Sequence, residues 1–295
     1  MKFVSYGAAL ALIFCLGSAA AATPADGKGD RVRGAPPPAG QANAKSSGPI
    51  QYGGGGVLTE KTGVNVYYIW YGNWTGNTGP QILTDFMNNL GGSPYFGINT
   101  TYYDANNVHV KNKVNLISQV ADNYSQGTRL SDNAVLNVVS NAITGGGLPL
   151  DTNGVYFVLT SQDVNESGGF CLLYCGWHNH ASVLGADIKY SFVGNAARCL
   201  KSCAAQSIGP NDNAGADAMA STIAHELEEA VTDPDLDAWK FSNGQENADA
   251  CAWTFGSEYV AANGANANMK LGNRDFLIQQ NWVNQKKKGG CALSL

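Results

Sequence analysis

Two runs of β-branched and aromatic residues place the strongest constraint on how this chain folds. Residues 63–72 read Gly-Val-Asn-Val-Tyr-Tyr-Ile-Trp-Tyr-Gly, and Gly154–Thr160 reads Gly-Val-Tyr-Phe-Val-Leu-Thr. Such side chains suit a covered, pleated surface, so each run predicts a buried strand. A third strand is expected over residues 188–193. Apolar spacing at the helical period predicts helices over residues 81–90 and 131–142, while 113–124 fits either state. Strands and helices alternate without a fixed repeat length, which predicts a single layered α/β or α+β domain with a mixed sheet.

The N-terminal segment carries a different signal. Met1-Lys2-Phe3 leads into an apolar stretch over residues 8–16, then a patch of small residues over 18–22 ahead of Thr23-Pro24. A basic start, a short apolar core and a small-residue cleavage site are the parts of a secretory signal peptide, expected over residues 1–22 with cleavage near Ala21 or Ala22. The apolar core is shorter than the roughly 20 residues a membrane span requires. Later apolar runs are soon broken by Gly, Asn, Asp or Lys, so no membrane span is expected. Residues 23–50 are rich in Pro, Gly and Ala with few large apolar side chains, and a flexible arm is expected there. The folded domain is expected over residues 51–295.

Secretion changes the reading of the seven cysteines. Cys15 leaves with the signal peptide. Cys171, Cys175, Cys199, Cys203, Cys251 and Cys291 form an even set in a chain bound for an oxidising compartment, which predicts three disulfides. The two Cys-x-x-x-Cys segments would otherwise suit zinc, but no histidine stands near them at finger spacing. The expected pairing cross-links those two segments and joins Cys251 to Cys291. Asn-x-Ser/Thr sequons make Asn73, Asn99, Asn123 and Asn165 candidate glycan acceptors in a eukaryotic host. A net charge of -5 with only 14% charged residues offers no basic face, so nucleic acid is not an expected partner. The basic run 286–288 reads as a solvated tail.

The segment that bears on chemistry is Ala214–Thr232, AGADAMASTIAHELEEAVT. It is rich in strong helix formers, preceded by the capping residues Asp212 and Asn213 and stopped by Asp233-Pro234, so a helix is expected. Turning about 100° per residue, Met219, Ile223, Leu227, Ala230 and Val231 share an apolar arc, while Thr222, His225, Glu226, Glu229 and Asp233 share another. His225 and Glu229 stand at i and i+4, a spacing that lets two side chains grip one cation, with Glu226 beside them. This is the arrangement of the zincin His-Glu-x-x-His helix, whose Glu is the general base, except that Glu229 replaces the second His. Glu246 and Asp249, just before Cys251, are candidates for a third ligand. His178 and His180 form a His-x-His pair that would point to one face of a strand. Five residues alone fit a solvated acidic helix face equally well.

Six segments in order, VNVYYIWYGNWTG, LPLDTNGVYFVLTSQDV, GGFCLLYCGWHNH, IAHELEEAVTDPDLDAW, ENADAC and NRDFLIQQNWV, resemble the blocks of the EXORDIUM-like or phosphate-induced protein 1 family. The resemblance runs from about Tyr52 to Cys291. It implies a secreted extracellular or cell-wall protein, linked in plants to growth, cell expansion and nutrient or carbon responses. The family's acidic helix block falls on Ala224, His225, Glu226, Glu229, Thr232 and Pro234. Its acidic-Cys block falls on Glu246, Asp249 and Cys251, and its Cys-Gly-aromatic-His block on Cys175, Gly176, Trp177 and His178.

The resulting expectation is a monomeric, zincin-like, disulfide-stabilised domain. One zinc would be held by His225, Glu229 and Asp249, with Glu246 and His178 as additional candidates and Glu226 as general base. The substrate would be an extracellular peptide or a cell-wall component. The alternative is a non-catalytic extracellular protein with a degenerate or structural metal site.

Overall fold

In the computed structural model, which describes residues 49–285 and 289–295, both aromatic runs form strands of one sheet. The expected signal peptide, nearly all of the expected arm and the basic run 286–288 lie outside the described residues. The strands are β1 (Val64–Tyr71), β2 (Val114–Asp122), β3 (Gly154–Thr160), β4 (Gly176–Val183) and β5 (Ala186–Val193). Their order is β2-β1-β3-β5-β4, parallel throughout except for β4, which runs antiparallel to β5. The sheet is thus mixed, and the domain is α/β.

Helices cover both faces, which is why the central strands read as unbroken apolar runs. Successive side chains alternate across a strand. Tyr67, Ile69 and Tyr71 of β1 face α2 (Asp132–Thr144), while Val66 and Tyr68 face α1 (Gly79–Leu90) and α3 (Ala214–Thr232). In register, Tyr67 pairs with Tyr156 of β3, and their rings stack at 4.6 Å between centroids. The buried faces of α1 (Ile82, Leu83, Phe86, Met87, Leu90) and α2 (Val135, Val138, Val139, Ile143) follow the predicted period. Full burial of side chains of this size contributes about 1.5–3 kcal/mol each.

Residues 113–124, ambiguous between helix and strand, form the edge strand β2. From Ile117 onward its residues alternate between exposed and half-buried, the period-2 signature of a strand with one open face. Disulfides Cys171–Cys199 and Cys175–Cys203 cross-link the two Cys-x-x-x-Cys segments, and Cys251–Cys291 forms the third, as expected. Among the described residues no helix is long and apolar enough to cross a membrane.

Candidate metal centre

Local sequence positions α3 with little ambiguity. Asn213 Oδ1 accepts a hydrogen bond from Ala216 N at 3.1 Å, closing the first turn. At the other end the chain turns out at Asp233, whose backbone N–H still donates to the Glu229 carbonyl at 2.7 Å. One arc packs on α1 and the sheet. The polar arc is not a solvated acidic face, because β4 and the segment around Glu246 to Cys251 cover it. His225 is 7% exposed, Glu226 5% and Glu229 1%.

Two imidazoles and three carboxylates meet at that arc. His225 Nε2 lies 3.1 Å from Glu229 Oε1 and 3.4 Å from Asp249 Oδ1. The backbone N–H of Asp249 donates to Glu229 Oε1 at 2.9 Å, which seats the Asp249 turn on the helix. From the other side, His178 Nε2 of β4 lies 3.2 Å from Glu246 Oε2 and 3.8 Å from Glu229 Oε2. Zinc bonds of 2.0–2.2 Å in a tetrahedral shell separate neighbouring donor atoms by about 3.3 Å, so the His225 set suits such an ion. Disulfides anchor both flanks. Cys175–Cys203 sits at the start of β4, and Cys251–Cys291 ties the Asp249 turn to the strand Gly290–Ala292.

The expected His178 and His180 pair divides between two places. His178 is fully buried in the centre, whereas His180 Nδ1 reaches Asp187 Oδ1 at 3.0 Å and Asp235 Oδ1 at 3.7 Å nearer the surface. There Lys189 Nζ stands 2.8 Å from Asp187 and 2.9 Å from Asp235, so an ammonium already supplies the positive charge.

The electrostatics of the interior group are severe. Burial pushes the His178 imidazole down to about 4, against the pull of Asp233 and Asp249, so it stays neutral. Burial acts likewise on His225, but the Glu229 charge and hydrogen bonds to Asp249 and Glu229 outweigh it and hold this imidazole well above its ordinary value. Glu229 is pushed up to about 7 by burial and by Asp249, with His225 opposing. Glu226 and Glu246 are also held well above the usual carboxylate range, first by burial and then by Glu229. Like charges gathered out of water are unfavourable unless paired or bound to a cation.

His225, Glu226 and Glu229 line a cleft with an empty volume of ≈ 730 Å³, including its open mouth. Thr222, Gly176 and Trp253 share that lining, and Ala218, Phe255 and Leu277 make part of it apolar. His178, Glu246 and Asp249 stand behind it, outside the lining.

Sequence reasoning did not single out Glu228, and it read Asn99 only as a sequon. Glu228 is fully buried, with Oε2 3.0 Å from Tyr95 Oη, and burial holds its carboxyl well above its usual range. Asn99, a sequon residue, is also fully buried. Its Nδ2 donates to the Phe96 carbonyl at 3.3 Å and its Oδ1 accepts from Asn281 Nδ2 at 3.2 Å, which leaves no room for a glycan in the folded chain. Asn73 and Asn123 are exposed and Asn165 is half-buried.

The family model for the phosphate-induced protein 1 conserved region matches residues 50–289. Protein EXORDIUM-like 5 of Arabidopsis thaliana is 29% identical over 274 residues, covering 79% of this chain and 75% of the relative. Protein EXORDIUM-like 3 of the same plant is 29% identical over 273 residues, covering 79% and 80%. Protein PHOSPHATE-INDUCED 1 of Nicotiana tabacum is 28% identical over 232 residues, covering 69% of each. No solved structure matches the chain.

Proposed function

The chain belongs to the phosphate-induced protein 1, EXORDIUM-like family, and from that premise we propose that it is a secreted extracellular or cell-wall protein with a zincin-like cation site for peptide hydrolysis. In this reading residues 1–22 are its signal peptide, 23–50 an arm and 51–295 the working domain. It acts as a monomer on an extracellular peptide or cell-wall component. Asn73 and Asn123 are the sequons best placed to carry glycan.

One observation carries the catalytic part of the reading. Donor atoms of His225 and Glu229 gather in a cleft that Glu226 also lines, with Asp249 Oδ1 directly behind them, 3.4 Å from His225 Nε2. A divalent cation held by those residues supplies Lewis acidity and a positive charge next to Glu226. Glu226, which lines the cleft beside these donors, would take a proton from an attacking water and return it to a leaving amine. Apolar walls from Phe255 and Leu277 would seat a side chain of the substrate. Compared with a two-histidine zincin helix, Glu229 adds a negative charge and makes the cation a weaker Lewis acid.

Glu226→Gln tests this. Hydrolysis of a broad peptide library should be lost while fold and zinc content stay as in the natural chain, because Glu226 is not among the ligands. A second reading, a structural cation that ties α3 to the Asp249 turn, draws on the bond from Asp249 N to Glu229 Oε1. It takes over if the natural chain retains zinc and cleaves nothing in the library.

A further inference from the structure

We propose that the centre holds two divalent cations, bridged by the carboxylate of Glu229: an outer one at His225 and Asp249 and an inner one at His178 and Glu246. The inference rests on reading the His225 group as a cation site and adds a second ion to it.

The geometry of Glu229 is the starting point. Its Oε1 lies 3.1 Å from His225 Nε2, and its Oε2 lies 3.8 Å from His178 Nε2. Each oxygen therefore belongs to its own imidazole. Each half also carries one further carboxylate, Asp249 at 3.4 Å from His225 and Glu246 at 3.2 Å from His178. The two donor sets are equivalent in kind: one imidazole nitrogen, one Glu229 oxygen and one more carboxylate. Imidazole with carboxylate is a donor set that zinc accepts.

A second, independent sign lies in unmet bonding capacity. Glu229 and Glu246 are 1% and 2% exposed, yet Glu229 Oε2 and Glu246 Oε1 have no hydrogen-bond partner. Buried polar atoms are ordinarily satisfied, and both of these belong to the inner half. A single cation held through Glu229 Oε1 alone would leave both as they are, and one chelated by both Glu229 oxygens would still leave Glu246 Oε1.

Charge points the same way. Glu226, Glu229, Glu246 and Asp249 put four carboxylates into one interior group. One dication balances two of them, and two dications balance all four. By contrast, the group of His180, Asp187 and Asp235 has Lys189 Nζ within 2.9 Å of both aspartates and needs no ion. Lys240 Nζ lies 3.3 Å from the buried Asp233, and its single positive charge also reaches His178 and Glu246.

The halves differ in access. His225 and Glu229 line the cleft, while His178 and Glu246 do not. The outer ion is placed to meet substrate, and the inner one to hold and orient Glu229. Bridged pairs of this kind occur in hydrolytic metal sites.

The test uses the full secreted chain, purified without an affinity-tag metal, with zinc as the probe and elemental analysis as the readout. The natural chain should carry about two zinc ions, and Glu246→Gln and His225→Gln each about one. Glu229→Ala should lose both. Because that variant removes a buried group and could fail to fold, manganese-loaded natural chain provides a second readout, a spin-coupled resonance from two bridged ions. About one zinc in the natural chain, unchanged by Glu246→Gln, overturns the pair and leaves the His225 site standing. A single zinc lost in Glu246→Gln but kept in His225→Gln overturns the pair and relocates the ion. Two ions with uncoupled manganese signals overturn the bridge. No zinc, and no thermal shift on adding it, overturns both this inference and the cation reading beneath it.

Discussion

Gly176 and Glu226 lie so close that a Cβ on the glycine would stand 3.0 Å from Glu226 Oε1, and it would stand only 2.6 Å from Thr222 Cγ2 alongside. The bare backbone at the start of β4 is what allows the strand to lie against the His-Glu turn of α3. Gly176→Ala should therefore separate the two elements and cost about 1–3 kcal/mol by overpacking. Thr222→Ser in the same chain deletes the nearest methyl and should recover part of the loss. Thermal melts of the three chains check this, and an unchanged melt for Gly176→Ala would mean the approach is looser than described.

The Cys251–Cys291 bridge spans 40 residues and fixes the turn that carries Asp249. Replacing both cysteines by serine should cost about 2–4 kcal/mol, the range of a native crosslink. Zinc retention should weaken as well, since Asp249 loses its anchor. Mass mapping of the natural chain without reductant should find no free thiol among the six paired cysteines. Stoichiometric alkylation of any of them would count against the pairing.

Much of this fold was legible because period and residue type agreed. Apart from Asn65 and Thr160 the runs around Tyr67 and Tyr156 are apolar or aromatic throughout, as expected of strands covered on both faces. α3 combines helix formers with a cap and a proline stop. The His225, Glu229 and Asp249 group was also within reach, since His225 and Glu229 are one turn apart. The contact between His178 and Glu246 was not, because 68 residues separate them and only the sheet order brings them together. Local pattern likewise cannot tell a solvated acidic arc from one roofed by a distant strand, so the burial of Glu226 and Glu229 had no local signal. Asn99 makes the same point in reverse, a legible sequon whose side chain the fold uses internally.

Asp217 in the first turn of α3 gives a pH prediction away from the candidate ligands. Burial pushes its carboxyl up to about 6, against hydrogen bonds from Asn211 that favour the charged form. A carboxyl whose folded value is raised binds its proton more tightly in the native chain than in the unfolded one. Its contribution is fully present below the unfolded value, near 3.8, and is lost as pH rises toward about 6. Relative to Asp217→Asn, the natural chain should thus be more stable at pH 4 than it is at pH 7.5. A change on the order of 1–3 kcal/mol is expected across that window. Denaturant titrations at the two pH values measure it, and a pH-independent difference would refute it.

Glu228 and Glu229 are neighbours on α3 with opposite expected roles, and the same substitution separates them. Glu228 lies against Tyr95 in an interior that holds its carboxyl neutral, so Glu228→Gln, an uncharged near-isostere, should stay within about 1 kcal/mol of the natural chain. It should also keep the full thermal shift on adding zinc. Glu229→Gln removes the charge that His225 and His178 both face, and its zinc-induced shift should fall sharply. His109→Ala provides the control, being exposed, with Nδ1 2.7 Å from the Thr100 carbonyl and no part in the centre. Thermal shifts with and without zinc across the four chains decide the matter. If Glu228→Gln and Glu229→Gln respond alike, the carboxylates of this helix act through general charge and not through a defined donor set.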